Sequence, residues 1–390
     1  MSGLPDRLPS KGFKGWKGCL ATFLFVLILV RPSDAGPPNP DAFELTLDPD
    51  KTTAAEEALE AAHPFFQFLD GRVGAAVLIE LVYEFADVAE TDDRQSGGSD
   101  EVFLNTIELG FYTRLVDWLE TNVVTGIENI AKDGDDANVF LDEAIVKLTC
   151  PVFPVYFIGG RRTQPFGAFE DHLLSGTITE EVYEIIDEGA TLGIRPETYG
   201  LDLSVTLHAG THVRGNLRDF DTHDYRESED MHGSNYGWIL NATSEPCGDF
   251  LKFGIFYSNE QGDDARNQSL GGAVTVHWQD FTLDAEYITA LGRERGEDGE
   301  ENLENAWLLG LAFLPTDDLE LAVRFEAFND DRKGGQDEVV DYRCLAGFNY
   351  ELCDWAIVSS EYRYTDFEKE RGSEAASRLN EVLVQIAVEF

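Results

Sequence analysis

The chain of 390 residues carries 29 Lys and Arg against 74 Asp and Glu, which gives a formal net charge of −45. A surface this acidic repels nucleic acid and anionic substrates, so it excludes them as partners and favours cations through its long-range field. The charge does not indicate disorder, because 12% of the residues are aromatic and apolar residues alternate with polar ones over most of the chain.

The N-terminal segment predicts export. A basic lead-in precedes an uncharged run from Cys19 to Val30, and the small residues Ser33 and Ala35 follow at the −3 and −1 positions of a cleavage site. The run is too short to span a bilayer as a helix, so residues 1–35 are predicted to be a removable signal peptide. Residues 36–70 are predicted to form a periplasmic leader with one short helix.

From residue 71 to the end, apolar and polar residues alternate with a period of two. One example has Leu321, Val323 and Phe325 on a face without charge, opposite Arg324 and Glu326. A soluble sandwich also alternates in this way. Segments of about nine to thirteen residues with aromatic ends favour a transmembrane barrel instead. Sixteen segments share the pattern: 73–86, 101–112, 118–128, 138–148, 154–162, 188–195, 199–209, 236–244, 249–259, 270–279, 281–291, 304–314, 318–328, 340–351, 354–364 and 381–390.

The connections between these segments predict the sidedness of the barrel. Those after even-numbered segments are short, and those after odd-numbered segments are longer, up to about 25 residues in 163–187 and 210–235. Short periplasmic turns and long extracellular loops are typical of outer-membrane barrels. We therefore predict an all-β fold in which residues 71–390 form an antiparallel transmembrane β-barrel of 16 strands.

The loop 163–187 is the candidate pore constriction. Its apolar group of Pro165, Phe166 and Phe169 favours folding into the lumen over an ordinary solvated external loop. Rings of charged side chains set ion selectivity in pores, so an inward loop would bring its carboxylates to the narrowest point. These carboxylates are Glu170, Asp171, Glu180, Glu181, Glu184 and Asp187.

Strand parity places five arginines on the lumen wall. Facing an acidic loop, they would create a transverse field, whereas the alternative is that each pairs with a neighbouring lumen carboxylate. For Arg324 and Arg343 we favour the pairing, for example of Arg324 with Glu320 or Glu326. The five are Arg162, Arg195, Arg324, Arg343 and Arg363.

A second loop, 210–235, combines histidines with carboxylates. His212, His223 and His232 lie in it among acidic residues, and His208 precedes it. The spacing fits no fixed metal-ligand pattern, so a solvated acidic loop is favoured over a metal site. The chain also lacks a convincing Ser/His/Asp set, zinc motif or phosphate loop, so we predict neither an enzyme nor a cofactor.

Four segments resemble a known family. They are LNTIELGFYTRLVDWLETNVV, VFLDEAIVKL, YFIGGRRTQPFGAFEDHLLSGTITEE and GATLGI, within roughly 100–195. They are similar to the LbtU-type siderophore porins, with ELG at Glu108–Gly110, DW at Asp117–Trp118, DEA at Asp142–Ala144 and GR to H at Gly160–His172. The resemblance implies a sixteen-stranded outer-membrane barrel connected with passive uptake of ferric siderophores.

The sequence thus predicts an outer-membrane channel for small solutes or a ferric siderophore, with a lumen biased toward cations. The alternative is a binding or adhesion barrel with a blocked lumen. The expected partners are outer-membrane lipid and the barrel assembly machinery, and a homotrimer is a compatible assembly. Phe390 is the expected assembly signal, because the terminal strands of outer-membrane barrels end in Phe.

Overall fold

The computed structural model describes residues 66–68, 72–88, 98–130, 137–196, 200–210, 212–219, 236–262, 265–295, 301, 303–330, 340–367 and 378–390. The predicted signal peptide lies outside these residues, as does the predicted leader except for the short strand Phe66–Phe68. Within the described part of the chain, no helix combines the length and the apolar character needed to cross a membrane.

Sixteen long strands form the molecule, and each of the sixteen predicted segments corresponds to one of them. Every strand pairs antiparallel with the next, and β16 pairs with β1, which closes the barrel. Their bounds are β1 Val73–Val88, β2 Gly98–Val116, β3 Leu119–Ile130, β4 Asn138–Thr149, β5 Val155–Thr163, β6 Ile186–Ile194, β7 Leu201–Ala209, β8 Tyr236–Ser244, β9 Leu251–Gln261, β10 Arg266–Trp278, β11 Phe281–Gly292, β12 Glu304–Thr316, β13 Leu319–Asp330, β14 Val340–Cys353, β15 Ala356–Phe367 and β16 Arg378–Glu389.

The alternation of the sequence becomes an apolar outer face and a polar inner face. On β7, Leu207 points outward and is 61% exposed, whereas its neighbour His208 points into the lumen and is 1% exposed. On β9, Ile255 is 57% exposed and Phe256 only 2%. Because side chains of successive strand residues point to opposite faces, this pattern fixes the register of each strand.

The two rims differ as predicted. Two-residue turns such as Asp117–Trp118 and Asp317–Asp318 lie on one rim, and the long connections after β5 and β7 begin at the other. One connection is shorter than expected, because β9 and β10 extend past their predicted ends and leave only 262–265 between them. We call the rims the short-turn rim and the long-loop rim.

The last residue takes part in closing the barrel. The backbone N–H of Phe390 donates to the carbonyl of Val77, and the N–H of Val77 donates to the carbonyl of Phe390, both at 2.9 Å. The Phe390 ring stacks on Trp355 with ring centroids 6.2 Å apart. Aromatic pairs at a strand end are typical of the interfacial girdles of membrane barrels.

The barrel encloses a second layer of packed side chains. An apolar core forms inside the lumen between the connection 164–185, the helix that follows β7 and the inner faces of β8 to β14. The members supplied by the wall include Ile239, Phe256, Ile288 and Phe328, which project inward from their strands. The core members are Phe166, Ile178, Val182, Tyr183, Ile185, Val213, Leu217, Ile239, Phe256, Ile288, Ala306, Phe328 and Val340.

Candidate pore constriction

The connection between β5 and β6, residues 164–185, is hereafter called L3. It contains the helix α1, Ile178–Tyr183, which begins after a capping box. The Thr177 hydroxyl accepts from the Glu180 N–H, and the Glu180 carboxylate accepts from the Thr177 N–H, each at 3.1 Å. These reciprocal bonds satisfy N–H groups that a helix start leaves unpaired. Glu180 therefore has a structural partner within its own loop.

The apolar residues of L3 hold it inside the barrel. Phe166, Ile178 and Tyr183 have no exposed surface, and the Phe166 ring lies edge-on to Tyr183 and Phe256, 6.3 Å from each. Burying side chains of this size stabilises the inward position by about 1.5–3 kcal/mol each. The apolar group noted in the sequence thus packs against the wall.

Carboxylates on the inner wall accept hydrogen bonds from the N–H and hydroxyl groups of L3. Glu286 on β11 accepts from the Ala168 N–H at 2.6 Å and from the Thr179 hydroxyl at 2.7 Å. Glu361 on β15 accepts from the Ser175 N–H at 2.9 Å and also from its hydroxyl. Hydrogen bonds to a charged acceptor are the stronger kind in proteins.

Both ends of α1 are anchored to wall carboxylates in the same way. Glu326 on β13 accepts from the Ile178 N–H at 3.0 Å, and Glu304 on β12 accepts from the Tyr183 hydroxyl at 3.2 Å. Glu304 is itself fully buried and paired with Arg293. L3 leaves the wall at β5 and contacts it again at β11 to β15, about half the circumference away. It therefore crosses the lumen.

Three of the five predicted lumen arginines contact or neighbour L3. Arg324 makes most of the contacts: it pairs with Asp171 of L3, donates to the carbonyls of Ser175 at 2.7 Å and Gly176 at 2.9 Å, and lies 3.2 Å from Glu326. Pairing with a wall carboxylate is therefore correct for Arg324, and the loop supplies a second carboxylate.

Arg343 and Arg363 lie on the next two strands. Arg343 pairs with Glu181 of L3 at 2.6 Å and lies 3.7 Å from Glu326. Arg363 pairs with Glu381 on β16 at 2.6 Å and donates to the Ser175 hydroxyl at 3.0 Å. Arg343, like Arg324, is thus in direct contact with a loop carboxylate, whereas Arg363 pairs with a wall carboxylate and contacts L3 through a hydroxyl.

The other two predicted arginines have different neighbours. Arg162 points into the lumen from β5 and donates to the Thr191 hydroxyl at 3.0 Å. Arg195 follows β6 at the short-turn rim, where it pairs with Asp202 at 2.9 Å and lies over the Tyr156 ring at 5.2 Å. Arg195 therefore borders the lumen at its end, below the level of L3.

The remaining carboxylates of the predicted constriction are also partnered. Glu170 lies 3.3 Å from the Lys252 ammonium, and Glu184 accepts from the Thr163 hydroxyl at 2.9 Å. Asp187 lies on β6 and not in the loop, because β6 begins at Ile186 and not at 188 as the sequence suggested. Most of the acidity of L3 is therefore compensated locally.

His172 ties L3 to two further carboxylates. Its Nδ1 lies 3.1 Å from Glu320 on β13, and its Nε2 lies 3.1 Å from Asp284 on β11. Burial lowers the pKa of His172, but the hydrogen bonds that the ring donates to these carboxylates outweigh burial and raise the pKa to about 10. The imidazole is therefore charged at neutral pH and donates from both nitrogens.

A second segment enters the lumen from the connection after β7. Helix α2, His212–Asp219, packs Val213 and Leu217 into the apolar core. His212 lies 2.7 Å from Asp187, and the Asn216 amide donates to the carbonyl of Glu184 at 2.8 Å. The sequence pattern predicts a solvated loop over 210–235, and for 212–219 this prediction is wrong, because the helix packs into the core. Its apolar pair at a spacing of four was the available signal.

The metal hypothesis for this region finds no support in the described residues. Among them, no group of three or more His, Cys, Asp or Glu is arranged to hold a metal ion. His223 and His232 lie outside the described residues.

Two carboxylates on the opposite wall complete the lumen. Glu80 on β1 and Glu108 on β2 point inward at neighbouring positions, since Glu108 is opposite Leu78 in the strand pair. Glu80 accepts from the Asn105 amide at 3.2 Å. Within the part of the chain that the structure describes, neither carboxylate forms an ion pair. Strand parity predicts that both carboxylates point inward, but it does not distinguish them from the other inward carboxylates.

Comparisons with solved structures agree with this fold. The chain is similar to an anion-selective porin from Comamonas acidovorans (TM-score 0.59, 10% identity, 82% of this chain and 99% of that chain). It is also similar to the outer membrane channel DcaP of Acinetobacter baumannii (TM-score 0.59, 13% identity, 84% and 100%) and to OmpF of Salmonella typhi in complex with daunomycin (TM-score 0.59, 12% identity, 83% and 100%). No protein-family model and no curated protein matches the chain. At these identities the likeness shows the fold, a porin-type barrel.

Proposed function

We propose that the chain is a porin of a bacterial outer membrane, a passive channel through which small solutes cross. The observation that carries the proposal is a closed sixteen-stranded barrel with an apolar outer face and a loop held across its lumen. Barrels of this size leave an aqueous channel. Two of the similar structures are described as a porin and as an outer membrane channel.

The proposed constriction lies between L3 and the wall formed by β1 and β2. On the other side of L3, the apolar core and α2 fill the lumen, so solutes pass on the side of Glu80 and Glu108. Glu181 is compensated by Arg343, whereas Glu80 and Glu108 have no cationic partner among the described residues. We therefore assign the cation preference mainly to the wall carboxylates.

Planar-bilayer recording of the purified protein tests the proposal. We expect stepwise conductance and a reversal potential in a salt gradient that shows cation preference. Silence at high protein load would favour the rival function, a binding barrel with a blocked lumen. The molecular mass of the purified assembly gives the number of chains, which we expect to be three.

Paired variants locate the selectivity. We expect the double variant Glu80→Gln with Glu108→Gln to lower cation preference, because it removes uncompensated negative charge from the wall. The control is Glu181→Gln with Arg343→Met, which removes one charge of each sign and should leave the reversal potential nearly unchanged. An equal shift in both double variants would contradict the assignment to β1 and β2.

The solute itself is the finer part of the proposal. The resemblance of residues 100–195 to siderophore porins favours a ferric siderophore as one solute. A ferric siderophore added to one side should then block the current transiently and in proportion to its concentration. Current that is unaffected at millimolar siderophore would leave a general porin as the function.

A further inference from the structure

A cavity of about 80 Å³ lies beneath the first half of L3. L3 closes it on one side with Gln164, Pro165 and residues 167–170, and its walls are the inward faces of β5 and β7 to β10. Asp202, Thr243 and Lys252 line it within one residue of the ends of their strands at the short-turn rim. The cavity is therefore on the periplasmic side of L3, away from the gap beside β1 and β2.

The charged groups that line the cavity are already partnered. The lining has two cations, Arg162 and Lys252, and two anions, Glu170 and Asp202. Lys252 lies 3.3 Å from Glu170, Asp202 pairs with Arg195 at 2.9 Å, and Arg162 donates to a wall hydroxyl at 3.0 Å. An ion that entered would lose hydration without finding a free counter-charge. The fitting occupant is neutral.

The remaining lining combines hydrogen-bonding groups with aromatic faces. The hydroxyls of Ser204 and Thr243 and the amide of Asn241 line one side, and Phe169 and Tyr156 line another. This is the usual composition of a small-molecule site, in which a few polar groups orient a ligand against apolar walls. Hydroxyl groups on the ligand would both donate and accept here, and its C–H face would lie on an aromatic ring.

Two buried oxygens add an independent observation. The Gln164 Oε1 and the Asn241 Oδ1 have no hydrogen-bond partner, and the Gln164 side chain is only 2% exposed. The amide nitrogen of Gln164 is satisfied, because it donates to the carbonyls of Arg162 and Asp187. The Gln164 oxygen lies against Gly189 on β6, whereas Asn241 lines the cavity. Because an unpaired buried acceptor is costly, a donor on an occupant of the cavity is expected to complete the Asn241 oxygen.

From these observations we infer that the cavity beneath L3 is a binding site for a small neutral polyhydroxylated solute, a polyol or a single sugar ring. One water needs roughly 10–15 Å³ of such space, so the cavity holds roughly five waters or a solute of comparable size. The site is separate from the conducting gap and does not depend on the ion selectivity proposed above.

Saturation-transfer NMR on the purified, folded barrel tests this site. The probes are D-glucose and glycerol as neutral polyols, with acetate and methylammonium as charged controls. The detergent must have no sugar headgroup, because maltosides and glucosides would compete. We expect saturable glucose binding in the millimolar range, and no saturable signal from either ion.

Two nearly isosteric variants remove polar groups from the cavity. Asn241→Leu and Thr243→Val should each weaken glucose binding at least fivefold, and Thr243→Val keeps the result interpretable if the other variant does not fold. Asn105→Leu removes an amide elsewhere in the lumen and should leave binding unchanged. The inference is overturned if glucose shows no saturation, if both cavity variants bind it like the unmodified protein, or if acetate or methylammonium binds as tightly.

Discussion

Arg324→Met is the substitution that most directly tests how L3 is held. Arg324 is 5% exposed, and its guanidinium joins the wall carboxylate Glu326 to Asp171 and two carbonyls of L3. Removing one partner of a buried ion pair costs about 3–5 kcal/mol, because the other charge stays buried without compensation. At about 1.4 kcal/mol per factor of ten, the equilibrium constant for docking of L3 on the wall should fall by about two to three and a half orders of magnitude.

The assay is single-channel recording, with heat-resistant electrophoretic mobility as the check that the barrel is folded. We expect Arg324→Met to give larger conductance and more current noise, because L3 leaves the wall part of the time. Arg324→Lys keeps the charge but not the forked geometry, so its conductance and noise should lie between those of the unmodified protein and those of Arg324→Met. Arg195→Met is the matched control, since Arg195 pairs with Asp202 at the short-turn rim. Conductance and noise equal to those of Arg195→Met would refute this account of how L3 is held.

Three further predictions concern the register of β16, the closure of the barrel at Phe390 and the contacts of His172 that hold L3. Ile386→Arg places a charge on the outer face of β16 and should cost about 2–4 kcal/mol of barrel stability near the membrane midplane. Gln385→Arg points into the lumen and should mainly change conductance. Equal loss of heat-resistant protein in both variants would show that the register of β16 is wrong. Deletion of Phe390 removes two backbone hydrogen bonds to Val77 and the proposed assembly signal, so export should persist while membrane levels of folded barrel fall, and normal levels would contradict this. The charge of His172 supports L3 fully below its ordinary pKa near 6.5, and this support is lost as pH rises through about 10; current noise should therefore increase between pH 7 and pH 10.5, but not in His172→Gln.

The lumen-facing side of β13 shows how far the sequence could be followed. Parity alone places Ala322 inward and Val323 outward, and both positions are correct. Parity also suggests that a charge at 322 would reach water. In the structure Ala322 is 4% exposed and lies beneath L3, so an arginine there would displace the loop. The period of the sequence identifies the face of the strand on which a residue lies. The L3 residues that cover this face are about 150 positions away in the chain.

The candidate constriction likewise has features that the sequence predicts and features that it does not. The apolar segment around Phe166 was sufficient to predict an inward loop, because burial is a property of the segment itself. The partners of Asp171 and Glu181 were not predictable, since they lie on β13 and β14 and depend on where L3 crosses the lumen. Only the sign of each charge was visible in the sequence. The importance of Glu80 and Glu108 likewise follows from the compensation of the other carboxylates.

The path of L3 has a mechanical consequence for the barrel. L3 begins at β5, and contacts with β11 to β15 fix its middle to the far side of the ring. A hydrogen-bonded cylinder without such a member flattens readily under lateral pressure, because strand pairs can flex about their long axes. A segment attached at both ends of a diameter acts as a cross-brace and resists that change of shape. Loosening it should therefore make the cross-section of the barrel more responsive to the thickness and tension of the surrounding bilayer.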